Sequence, residues 1–195
     1  MTIRLRHALG CALLASGLAG CASDPAVKSV EMLDERTGMT IAGMPQPMAF
    51  VESGIYDLLA PEKQPTVLYI GPVEWDRTGY FSYSLWIQIA PGVGAHRFDD
   101  LRTPGELEME LDDGPVTLTA LPAPVAAGSP YPPIEPVGQT AYFAADVALL
   151  KRMAATQKIS LRVRASDLTI VVFTARQDTQ PLMQQFMADR AVVDP

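Results

Sequence analysis

Apolar and polar positions alternate with a period of two over much of this chain, most clearly from Tyr80 to Ala90. Phe81, Tyr83, Leu85, Ile87 and Ile89 fall on one face, and Ser82, Ser84, Trp86 and Gln88 on the other. Successive strand side chains point to opposite faces, so this pattern predicts a half-buried strand. Shorter runs predict strands at 27–33, 39–41, 48–51 and 66–70, with Arg36-Thr37-Gly38 as a turn and Gly71-Pro72 as punctuation after the last. Glu106, Glu108 and Glu110 alternate with Leu107, Met109 and Leu111. Asp112-Asp113-Gly114 then supplies a hairpin turn, and Val116, Leu118 and Ala120 return.

Helical spacing is confined to three places. Ile55 to Leu59 reads as a helical turn ended by Pro61. Asp146 is placed to cap a helix running to Thr156, with Val147, Leu150 and Ala154 on one face. Asp178 or Thr179 caps a last helix with Pro181 in its first turn, where proline is tolerated, and with Leu182, Phe186 and Met187 as its stripe. Strands are expected at Thr140–Phe143, Ile159–Val163 and Leu168–Thr174. Residues 122–138 hold six prolines and are expected to form a surface excursion. The fold expected is mainly β (α+β being the alternative class), an antiparallel β-sandwich-like domain with two short helices near the carboxyl end.

The amino terminus follows another rule. Arg4 and Arg6 precede an apolar run from Ala8 to Leu18, which small residues follow. This is the layout of a secretory signal, and the run is shorter than the roughly 20 residues a bilayer span needs. Leu18-Ala19-Gly20-Cys21 resembles the bacterial lipobox, an apolar residue and two small ones before cysteine. That resemblance implies lipidation of Cys21, removal of residues 1–20 and, with Ala22 rather than aspartate next, sorting to the outer membrane. The organisation expected is a signal at 1–20, a short tether at 21–26 and one globular envelope domain at 27–195. Acyl chains contribute about 0.8 kcal/mol per buried methylene, so two or more hold firmly.

Composition narrows the function. The 195 residues less the first 20 leave 175, enough for one sizeable core. The only cysteines are Cys11 and Cys21, so the domain after Cys21 has no disulfide and relies on apolar burial. Fifteen basic residues less Arg4 and Arg6 leave 13 against 22 acidic ones, a net charge of −9. Such a surface disfavours nucleic acid, so the partners expected are the membrane, through lipid on Cys21, and an envelope protein.

Candidate chemistry is sparse. His96 is the one histidine after the signal, near Asp99 and Asp100, with no Gly-x-Ser-x-Gly elbow for a triad. No transition-metal set or cofactor fingerprint is present, so none is expected. Glu106, Glu108 and Glu110 read as a solvated strand face that discourages edge aggregation. Trp75 and Trp86, with Arg162 and Arg164, are the candidate contact surface, since exposed tryptophan anchors protein or sugar contacts; against this, a sandwich that covers both strand faces favours a buried Trp86, and pairing with acidic neighbours is the default for the arginines.

Glu35-Arg36-Thr37-Gly38 with Thr40, Tyr83-Ser84-Leu85-Trp86, Tyr131-Pro132-Pro133 and the closing helix–hairpin–helix together resemble an uncharacterised group of proteobacterial lipoproteins. That resemblance implies an anchored domain and transfers no activity, ligand or catalytic residue. The leading expectation is a non-enzymatic envelope lipoprotein with a binding or structural role. The alternatives are an accessory or chaperone subunit of a secretion or assembly system, and a hydrolase of envelope polymer. The hydrolase requires two carboxylates about 5–10 Å apart in a cleft.

Overall fold

The computed structural model describes residues 28–53, 65–90, 95–98, 107–122, 128–134 and 139–190. These residues form a mainly antiparallel β domain with two helices near the carboxyl end, as the periodicity predicts. The strands are β1 (Val30–Asp34), β2 (Met39–Gly43), β3 (Met48–Glu52), β4 (Val67–Arg77), β5 (Tyr80–Ala90), β6 (Leu107–Leu111), β7 (Gly114–Thr117), β8 (Thr140–Ala145), β9 (Ser160–Arg164) and β10 (Ile170–Ala175). The helices are α1 (Val147–Ala155) and α2 (Gln180–Asp189). Among the described residues no helix is long and apolar enough to cross a membrane. The helical turn expected at Ile55–Leu59 lies outside the described residues, as do Cys21 and the rest of residues 1–27.

One ten-stranded sheet runs β1-β2-β4-β3-β10-β9-β6-β7, with β5 and then β8 added on the other edge of β4. The ladders leave it open between β7 and β8, and the chain after β7 stitches that opening. Leu118 N–H donates to Leu107 O at 3.0 Å, Ala144 N–H to Thr119 O at 2.8 Å and Leu121 N–H to Tyr142 O at 2.7 Å. The sheet therefore curls over a single core. Met48, Phe50, Leu68, Ile70, Leu85, Ile87, Met109, Leu161 and Phe173 line it, and Leu150, Met153, Met183 and Phe186 of the helices belong to the same cluster. Each such side chain contributes roughly 1.5–3 kcal/mol by leaving water. This is how a domain with no cysteine after Cys21 holds together.

Two sequence expectations are corrected here. The strand expected to stop at Ile70 continues through Gly71-Pro72 to Arg77. On one edge β4 pairs β3 through Val67–Ile70 and β2 through Val73–Asp76, which leaves Gly71 and Pro72 in a gap between partners. A strand residue's amide and carbonyl point to the same side, so the N–H that proline lacks falls where no acceptor waits. The second correction concerns the proline-rich stretch. Its described part, 128–134, is no surface excursion but lies on the outer face of β4 and β5. Tyr131 stacks on Trp86 with ring centroids 5.0 Å apart. The Tyr131 hydroxyl donates to Pro72 O at 2.7 Å and accepts from Met44 N–H at 3.0 Å, filling the fork between β2 and β3. Gln88 completes the cover, with Nε2 donating to Ile134 O and Oε1 accepting from Ile134 N–H. β5 is consequently buried on both faces from Ser84 to Ile89, although its alternation predicts one wet face.

Candidate functional site

The four residues singled out as a contact surface do not come together. Trp86 is 2% exposed beneath Tyr131 and presents nothing to solvent. Trp75 is half-buried; its indole N–H donates to Ser84 Oγ at 2.8 Å and its ring tilts against Tyr142 at 5.4 Å. Arg162 and Arg164 are exposed on β9, and Arg162 Nε lies 3.9 Å from Glu108 on β6. A pair that long and solvated contributes little. Of the three glutamates on that strand, Glu106 lies outside the described residues. His96 belongs to a short 3-10 turn, Ala95–Phe98, and its side chain, like Asp99 and Asp100, lies outside the described part.

An open cleft instead lies behind the β4–β5 turn. Thr78 and Gly79 have φ of 54° and 88°, so both central residues of this two-residue loop are left-handed, as the tightest hairpins demand. Threonine reaches that region only under strain. Asp76 Oδ1 accepts from Gly79 N–H at 2.7 Å and closes the turn. The turn presents Tyr80 at 81% exposure and Phe81 at 57%. By the ladder registers Leu33, Thr40, Asp76 and Phe81 form one row, so Leu33, 61% exposed, shares a sheet face with Phe81.

The opposite wall is the start of α1. Asp146 caps it by accepting from Leu149 N–H at 2.7 Å, which places Ala145, Val147 and Ala148 across from the aromatic tip. Tyr83 and Ser82 form the floor, Arg190 at the end of α2 closes one side, and the volume is about 720 Å³.

Arg190 is held by two carboxylates. Its Nε and Nη2 donate to Glu74 Oε1 at 3.0 and 2.6 Å, and Nη1 donates to Glu31. Burial opposes its charge, but hydrogen bonds to Glu74 and Glu31 win and raise its pKa. Glu74 is 1% exposed, and its Oε2 makes no hydrogen bond of regular geometry among the described residues. The Tyr83 phenol leans toward the same carboxylate. Burial first, and then the Glu74 charge, push the Tyr83 pKa up, so it stays neutral.

The cleft therefore offers aromatic and apolar surface, and an arginine whose charge is already answered. Asp146, occupied as a helix cap, is the one carboxylate among its described lining residues, so the two-carboxylate arrangement a hydrolase requires is not met there. A second cleft of about 680 Å³, between the starts of β9 and α2, is lined largely by polar residue types and likewise by one carboxylate, Asp178. No group of three or more His, Cys, Asp or Glu side chains gathers for a metal ion among the described residues.

The aromatic tip was open to sequence reasoning, because Thr78-Gly79 between two alternating runs is a hairpin signal. No sequence signal points to Arg190 or Glu74, which meet across 116 residues. Comparison with protein-family models, with curated proteins and with solved structures returns no match.

Proposed function

We propose that this protein is a lipid-anchored lipoprotein of the bacterial envelope, held at the outer membrane and facing the periplasm, with a binding or supporting role rather than a catalytic one. The observation that carries this reading is the ordered series of Arg4 and Arg6, the apolar run Ala8–Leu18, and Leu18-Ala19-Gly20-Cys21. Each part alone is common; their order and spacing match what export, acylation and cleavage successively require. A binding role draws support from the cleft, whose rings and apolar walls suit contact. Mass spectrometry of protein purified from its native host tests the anchor. Cys21 carrying acyl chains as the first residue is expected, and a Cys21→Ser variant should lose both processing and flotation with membranes. Mature material that retains residues 1–20 would refute the reading.

A second reading, an accessory subunit of an assembly system, is favoured by one observation. β1 pairs only β2 among the described residues and carries exposed Val30 and Leu33, an edge suited to strand addition. Mild crosslinking in cells tests it: one stoichiometric partner joined through β1 would support it.

A further inference from the structure

We propose that the β4–β5 tip, Tyr80 and Phe81, with Leu33 on the same row of the sheet, together with the cleft behind it, seats on the phospholipid interface of the membrane that holds the anchor. This rests on the reading of Cys21 as the lipidated residue. Six large apolar or aromatic side chains are exposed among the described residues. Leu33, Tyr80 and Phe81 lie toward the β4–β5 end, Leu168 and Ile170 lie at the β9–β10 turn, and Val30 stands between, level with the middle of β4. The registers place the tip and the β9–β10 turn at opposite ends of the sheet, because Thr174 faces Val51, Val51 faces Val67, and β4 runs from there toward the tip.

The length of chain before the domain decides between the two ends. Ser29 N–H donates to Asp189 Oδ2 at 2.9 Å, so the chain enters beside Arg190, the wall of the cleft. Val30 stands level with Gly43 and Val73. Thr78 at the tip is five residues along β4 from Val73, or about 17 Å at roughly 3.3 Å per residue. Ile170 is ten residues the other way, about 33 Å before any sideways offset across the sheet. Nine residue steps separate Cys21 from Val30 and span at most about 32 Å at roughly 3.6 Å each. The anchor therefore reaches the plane of the aromatic tip with slack and falls short of the other end.

The chemistry of the tip agrees with this placement. Tyrosine favours the headgroup level, and phenylalanine and leucine bury at the boundary with the acyl chains. Arg36 and Arg77 are offset by Glu35 and Asp76, and Asp34 and Asp146 leave this end acidic, so it carries no basic patch for anionic headgroups. A zwitterionic bilayer is the matching surface.

The absence of any other cysteine after Cys21 makes the test direct. Phe81→Cys and Leu168→Cys, each exposed and so tolerant of a label, are made in the full lipidated chain, tagged with an environment-sensitive fluorophore and reconstituted in phosphatidylcholine vesicles. The label at 81 is expected to shift to the blue and to be quenched several-fold more by doxyl lipids than the label at 168. Equal quenching, or stronger quenching at 168, overturns the proposal. A label at 81 shielded without vesicles, and more so at higher protein concentration, would assign the tip to a second copy of this chain and overturn it too. Flotation and the mass of the amino-terminal residue are read on the same material. Protein that floats with lipid on Cys21 but keeps position 81 wet refutes this orientation alone, whereas absence of lipid on Cys21 removes the anchor and the orientation together.

Discussion

Tyr131 performs two tasks with one side chain. Its ring covers Trp86, and its hydroxyl joins β2 to β4 where β3 has not yet begun. Gly71 permits this, because a Cβ there would run into the Tyr131 ring. Tyr131→Phe leaves a buried carbonyl and a buried amide without their partner, which costs about 1–3 kcal/mol. Gly71→Ala forces the ring from its seat and costs on the order of 1–3 kcal/mol by overpacking. Urea unfolding of each variant measures both. The Glu74–Arg190 contact is subject to a harsher rule. Arg190→Gln strands a buried carboxylate and is expected to destabilise by about 3 kcal/mol, while the double change with Glu74→Gln recovers much of the loss. A double change as damaging as the single one would show that the pair does not act through charge.

At the scale of elements, caps and turns largely follow local chemistry. Asp146 caps α1 as its position predicts, and Asp146→Ala should cost about 1 kcal/mol and fray the wall of the cleft, seen as faster amide exchange at Leu149. At α2 the two expected cap candidates divide the role. Thr179 occupies the cap position but makes no side-chain cap bond, and Asp178 Oδ1 instead accepts from Gln180 N–H at 3.1 Å. The hairpin turns at 35–38 and 112–114 fall where Gly38 and Gly114, with φ of 68° and 122°, are required. The β6–β7 turn is tied to α1 by Arg152, whose Nε and Nη2 each reach an Asp113 carboxylate oxygen at 2.8 Å. That bidentate bond holds the Asp113 carboxyl below its ordinary range. Its benefit is thus present above the ordinary carboxylate pKa and lost as pH falls. Arg152→Ala should move the Asp113 titration upward, as NMR would report.

For the molecule as a whole, the alkaline side is where stability is expected to fail first by titration of the core. Tyr83, Tyr131 and Tyr142 are all raised above the ordinary phenol value of 10.0, each chiefly by burial. In the unfolded chain these phenols ionise near that ordinary value, and in the fold they resist. Their contribution is complete below about pH 10 and is lost as pH rises beyond it. Urea midpoints should therefore drop above pH 10, and phenolate absorbance at 295 nm should appear together with unfolding. In Tyr131→Phe, whose phenol is the most strongly raised, the drop should be shallower.

Local information by itself determined the class and much of the inventory: period-two strands, capped helices, glycine turns, a leader-like start and a cysteine-poor domain. These features are legible because strand alternation, caps and left-handed turns depend on residues a few positions apart. What only the tertiary structure decided is which strand face stays dry and which charges meet. β5 is covered on its second face because a segment more than forty residues later folds onto it, and its prolines give no sign of that locally. Arg190 finds Glu74 for the same reason, and the cleft exists only where a hairpin tip, a helix start and a helix end converge. Long-range burial rewards total apolar area, and no short window of sequence records where that area will find its complement.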